Sequence, residues 1–178
     1  MKVSRFAGLL GLVMVSACAS GGSGRTPEYW VKFRSDAHTS RHVVPFPPEQ
    51  VVLVLPRAYE SLGLPGGAPR GGNGMEFMTP QLGVRGQLYG KRNSEFIDCG
   101  MVHNGSAIED QGEVQLAMIT RLEPVAGGTA VITQVDSYAR RRDTSSEPIY
   151  CPSRGVLEDA VAEILLMHLR GTPPPPRG

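Results

Sequence analysis

Apolar positions fall along this chain in three patterns, and each predicts a different kind of segment. The first is an apolar run, Phe6 to Ala17, behind the basic residues Lys2 and Arg5. A bilayer-spanning helix needs about 20 such residues, so the shorter run reads as the n-region and h-region of a secretory signal. The second pattern has a period of three to four. Val52, Leu55, Tyr59 and Leu62 recur this way within Glu49 to Leu62; Pro47 and Pro48 suit a helix start and Gly63 a stop. Pro56 removes one backbone hydrogen bond inside this segment. That predicts a kinked helix, with a strand over Val51 to Leu55 as the alternative. A clearer stripe joins Leu157, Val161, Ile164, Leu165 and His168. Glu158 and Asp159 near its start, Arg170 at its end and Gly171 beyond fit the helix dipole and a stop. Ser153 is the expected N-cap of this helix, which spans Arg154 to Arg170.

The third pattern is alternation. Glu113 to Glu123 places Val114, Leu116, Met118 and Leu122 on one face and Glu113, Gln115, Arg121 and Glu123 on the other. Ala126-Gly127-Gly128 follows as a turn, and Thr129 to Arg140 returns with Val131, Thr133 and Val135 on one face. This is an antiparallel hairpin with one wet face. Shorter strands are predicted at Arg41 to Phe46, Met75 to Thr79, Gln81 to Tyr89 and Ser94 to Cys99. In the third of these Leu82, Val84 and Leu88 share a face; in the last Ile97 and Cys99 oppose Phe96. The resulting order, β-α-β-β-β-β-α, predicts an α+β fold in two layers. An antiparallel sheet of about 4–6 strands would pack against two helices.

Glycine and proline divide the rest. Gly63 to Gly74 lacks the glycine order and the Lys of a phosphate-binding loop and reads as a mobile surface loop. Gly100 to Gly112 reads as a polar, mobile loop. Residues 172–178, with four consecutive prolines, form a tail that joins no helix or sheet. Residues 1–17 are then the signal, 18–29 a tether that includes Ala-Ser-Gly-Gly-Ser-Gly, and 30–171 a single domain.

Charge changes this picture little. The chain has 178 residues, 18 basic and 17 acidic. Loss of Lys2 and Arg5 with the signal leaves no basic excess, which argues against a nucleic-acid partner. Cysteine changes it more. The run ends Val15-Ser16-Ala17-Cys18, which resembles the lipobox of bacterial lipoproteins. That resemblance implies cleavage before Cys18, acylation of its thiol and new amino group, and attachment to a membrane by the lipid. Ala19 is not the Asp that retains such proteins at the inner membrane. The implied location is therefore the periplasmic face of the outer membrane. Cys99 and Cys151 remain, an even pair in an oxidising compartment. A disulfide between them and two buried free thiols are the two readings, and export favours the bridge.

The element order is also similar to the helix-grip domains of the BamC-like envelope lipoproteins. The likeness rests on Cys18, the strand-then-helix opening from Arg41 to Leu62, the meander, and the helix from Arg154 to Arg170. It covers one domain by order of elements, and it implies a non-enzymatic module that binds an envelope protein.

Residues able to carry chemistry are few. Asp98, Cys99 and His103 hold the parts of a cysteine nucleophile, although a disulfide would consume Cys99. His38 and His42 are four apart, but no third ligand stands at a zinc spacing. His168 suits a helix end. Arg140, Arg141 and Arg142 read as a solvated strand end or as a patch for anionic head groups. No catalytic residue, metal or cofactor is expected. The expected function is partner binding, with carriage of a lipid or small apolar ligand as the alternative, and an enzyme using Cys99 and His103 behind both.

Overall fold

Proline and glycine punctuate the chain into elements close to those the pattern predicts. The computed structural model describes residues 37–70, 72, 74–140, 147–172 and 174. In order these form β1 (Thr39–Val44), α1 (Pro48–Ser61), β2 (Ala68–Arg70), β3 (Glu76–Met78), β4 (Leu82–Arg85), β5 (Gln87–Leu88) and β6 (Lys91–Arg92). Then come α2 (Ile108–Gln111), β7 (Glu113–Val125), β8 (Gly128–Arg140), β9 (Ile149–Tyr150) and α3 (Val156–Leu169). The signal run, Cys18, the tether, Arg141, Arg142 and most of the proline tail lie outside the described residues.

The class is α+β. β7 and β8 pair along their full length and nucleate a seven-stranded antiparallel sheet in the order β1-β8-β7-β3-β2. β4 adds to β7 and β9 to β8, so the sheet exceeds the expected four to six strands. Alternation sorts it into two faces. Val114, Leu116, Met118 and Leu122 of β7 and Val131 and Val135 of β8 are buried on the inner face. Helices α1 and α3 cover that face and pack against each other. Their contribution is a set of fully buried side chains: Val51, Leu55, Tyr59 and Leu62 from the first, Leu157, Val161 and Leu165 from the second.

α1 runs through Pro56 without ending, because buried residues on both sides of the proline hold it to the sheet. Its apolar stripe keeps Leu55, Tyr59 and Leu62 as expected and differs at its first position. Val51 is buried, whereas Val52 is only partly so. α3 is N-capped by Gly155, not by Ser153 as expected. The Ser153 hydroxyl instead accepts from the Gly155 N–H at 3.1 Å and donates to Glu158 at 2.8 Å.

Four stretches depart from their expected form. The strand expected over Gln81 to Tyr89 is two: the chain turns at Gly86, φ 68°, so β4 joins β7 while β5 pairs with β6. Ser94 to Cys99 is not a strand. Asn93–Glu95 form a 3-10 turn, the Phe96 and Ile97 N–H groups return to the Asn93 carbonyl, and Phe96, Ile97 and Cys99 are all buried. An apolar run buried on every side mimics strand alternation. The expected loop at Gly100 to Gly112 is packed: it contains α2, a bridge between Met101 and Ala107, and the buried Ile108 and Glu109. In the glycine-rich stretch after α1, Leu64 is buried and Ala68–Arg70 become an edge strand on β3.

Candidate functional site

The expected cluster at Asp98, Cys99 and His103 is not assembled. Cys99 and Cys151 are joined, with sulfurs 2.02 Å and α-carbons 4.3 Å apart. Asp98 accepts from the Arg154 guanidinium at 3.0 Å, and His103 is exposed in the bridged loop. The disulfide belongs to a wider seam. The Asp98 N–H reaches the Pro152 carbonyl, the Arg154 N–H reaches that of Phe96, and Ile97 bridges Ser153. This seam fastens the irregular 93–112 segment to the start of α3.

Two buried carboxyls flank the seam. Glu109 accepts from the Cys99 N–H at 3.2 Å. Burial raises its pKa; the Glu109 and Cys99 N–H groups oppose that, and Asp98 and Asp110 add to it. Glu158 is raised too, again mainly by burial, with the Ser153 hydroxyl, backbone N–H groups and His38 opposing. Helical spacing places Glu158 three residues before Val161 and seven before Leu165, on the buried face, so the sequence carried the signal for it. No local pattern marks Glu109.

Of the two histidines four apart, His42 lies in β1 and His38 just before it. His42 Nε2 lies 2.8 Å from Asp159 Oδ1, at a half-exposed rim between strand and helix. His38 is exposed beside Gly155. Among the described residues no group of three or more His, Cys, Asp or Glu could hold a metal. His168 Nε2 meets Ser61 Oγ at 2.9 Å and ties the ends of α1 and α3 together.

Two surfaces could take a ligand or partner. The first is the edge of β1. One side pairs with β8, and among the described residues no strand pairs with the other. On the helix side His42 of this strand meets Asp159. The second is an open groove of about 520 Å³ at the opposite end, lined by Arg70, Met75, Glu76, Arg121, Leu122 and Pro124 among others. Glu76 lies between the two arginines, 3.4 Å from Arg121 and 4.0 Å from Arg70. Glu76 thus pairs with both arginines, whereas among the described residues the outer edge of β1 has no partner strand. Among the described residues no helix is long and apolar enough to cross a membrane. No family model matches the chain, and no curated protein matches it at a significant level.

Proposed function

We propose that the protein is a lipid-anchored envelope module that binds a protein partner as an extended strand added to the edge of β1. The observation that carries this reading is the hydrogen-bonding edge of Thr39–Val44, which has no partner strand among the described residues and is flanked by the half-exposed rim of α3. Main-chain groups along such an edge supply affinity, and flanking side chains supply selectivity. The lipobox-like Val15-Ser16-Ala17-Cys18 supports the anchor, and the likeness in element order to BamC-like lipoproteins supports an assembly role. Carriage of an apolar ligand has less support. Leu55, Tyr59, Leu62, Leu157, Val161 and Leu165 fill the space between the layers where such a ligand would sit.

The test is photo-cross-linking in cells. A photoreactive residue at Asp159, beside β1, is expected to yield an adduct with an envelope protein. The same residue at Leu53, which is 76% exposed on α1, should yield none. An adduct from Met101 and none from Asp159 would move the site to the 100–107 loop. No adduct from any of the three positions would sink the partner reading.

A further inference from the structure

A row of hydroxyls crosses the inner face of the sheet and ends at its edge strand. Thr120 of β7 stands opposite Thr133 of β8, and Thr133 stands opposite Ser40 of β1. Alternation places Thr120 and Thr133 on the face shared by Met118, Leu122, Val131 and Val135. Ser40 is on that side as well, buried like Val44 and alternating with the exposed Thr39, Arg41 and Val43. The oxygens of Thr120 and Thr133 lie 3.0 Å apart and share a hydrogen bond. Ser40 Oγ, next in the row, has no hydrogen-bond partner among the described residues, although Ser40 is only 7% exposed. A hydroxyl can donate once and accept twice, and buried polar groups are seldom left unpaired. Thr133 occupies one side of Ser40; on the other side of β1 no strand pairs among the described residues. The row thus ends on an unpaired hydroxyl at the side where a strand can be added.

The same side of β1 carries charge two residues on. His42 Nε2 lies 2.8 Å from Asp159 Oδ1 at the half-exposed rim of α3. Glu163, one helical turn further along, is exposed too. Two carboxylates stand at this rim against one imidazole, so it favours a cationic side chain from an added strand.

We propose that the strand added to β1 is an antiparallel peptide segment with Ser or Thr opposite Ser40 and Lys or Arg opposite His42. This rests on the strand-addition reading above and names what that edge selects. Directly opposed residues of an antiparallel pair bring their β-carbons within about 4.5–5.5 Å. A hydroxyl opposite Ser40 therefore comes within hydrogen-bond reach and continues the row. Because the Ser40 hydroxyl gives up no bond within the fold, the new bond counts wholly towards the complex. Two positions earlier in the peptide, the basic side chain reaches Asp159, with Glu163 one turn away. Read from its N-terminus, the segment is basic, any residue, then hydroxyl.

The test uses the full chain and a fluorescein-labelled peptide, Gly-Val-Val-Lys-Val-Thr-Gln-Gly, with binding read by anisotropy. Replacing the peptide's Thr by Val keeps the shape and removes the hydroxyl. It should weaken binding about fivefold, the scale of one hydrogen bond. Ser40→Ala should weaken the Thr peptide by the same factor and make the two peptides bind alike. The melting temperature of the free Ser40→Ala chain should stay unchanged or rise. A lower melt would reveal a bond within the fold and overturn the proposal. Replacing the peptide's Lys by Glu should weaken binding about tenfold at low salt, and Asp159→Asn should remove most of that difference. Methylating alternate peptide nitrogens checks the edge itself, since one of the two sets should abolish binding. If one set does so while the Thr and Val peptides bind alike, strand addition stands and the hydroxyl assignment falls. If neither set does, strand addition falls too. A dimer in sedimentation that excess peptide does not dissociate would make a second copy the occupant and overturn the proposal. So would no binding up to about 1 mM peptide; an adduct at Asp159 in cells would then show that the partner is held by other means.

Discussion

Glu158 sits where the stripe of α3 calls for an apolar side chain, and its carboxyl is buried against Ser153. Its folded pKa is raised above the ordinary glutamate value, so the fold prefers the protonated acid. The sign follows by linkage. The stabilising contribution is full below the unfolded pKa and is lost as pH rises through the folded one. Glu109 acts in the same direction. Melting temperature should therefore rise as pH is lowered from 7 towards about 4.5, the reverse of the usual carboxylate. Glu158→Gln should flatten that rise; a variant whose pH profile matches the native protein would remove Glu158 as its source. Gly128 opens β8 with φ 150°, and a Cβ there would collide with the Val44 carbonyl. Gly128→Ala should cost about 1–3 kcal/mol from the backbone conformation and more from the clash, read by denaturant unfolding. Replacing Cys99 and Cys151 together by Ser should cost about 4 kcal/mol on the chain-entropy account of a 52-residue separation.

Elements were legible in proportion to how far local pattern decides them. β7 and β8 keep a period of two over their whole length, and α3 keeps its stripe of Leu157, Val161, Ile164 and Leu165, so all three were readable. Leu165→Ala should lower stability by about 2–5 kcal/mol, since that side chain is fully buried. The 93–112 segment was not readable, because distant bonds shape it. Asn93 Nδ2 donates to the Glu109 carbonyl, and the Ser94 hydroxyl donates to Asp110. No window of neighbouring residues contains those pairs. The glycine-rich stretch after α1 was misread for a related reason. Gly67 packs so close to the Tyr59 ring that an added Cβ would sit 2.6 Å from it, and β2 pairs with β3. Deleting Pro65 to Gly72, which a free loop would tolerate, should lower the melting temperature. An unchanged melt would restore the loop reading.

For the molecule as a whole, the sequence speaks most plainly about location. Cys18→Ser should release the protein from membranes and block its maturation; membrane fractionation and unchanged mobility of that variant would end the anchor reading. The candidate surfaces were harder to read, since the β1 edge, the rim at His42 and Asp159 and the groove at Glu76 exist only once strands are paired. On the proposed reading the protein would be pulled between its anchor and its partner, and here the crosslink acquires a mechanical meaning. The disulfide withholds the chain between Cys99 and Cys151 from any tension applied through the ends. At full extension that is roughly 180 Å of slack, spanning β7 and β8. Under load, β1 and the flanking elements would yield first while the central hairpin's chain stayed short. Adding reductant in a single-molecule stretching experiment should lengthen the final extension by that amount.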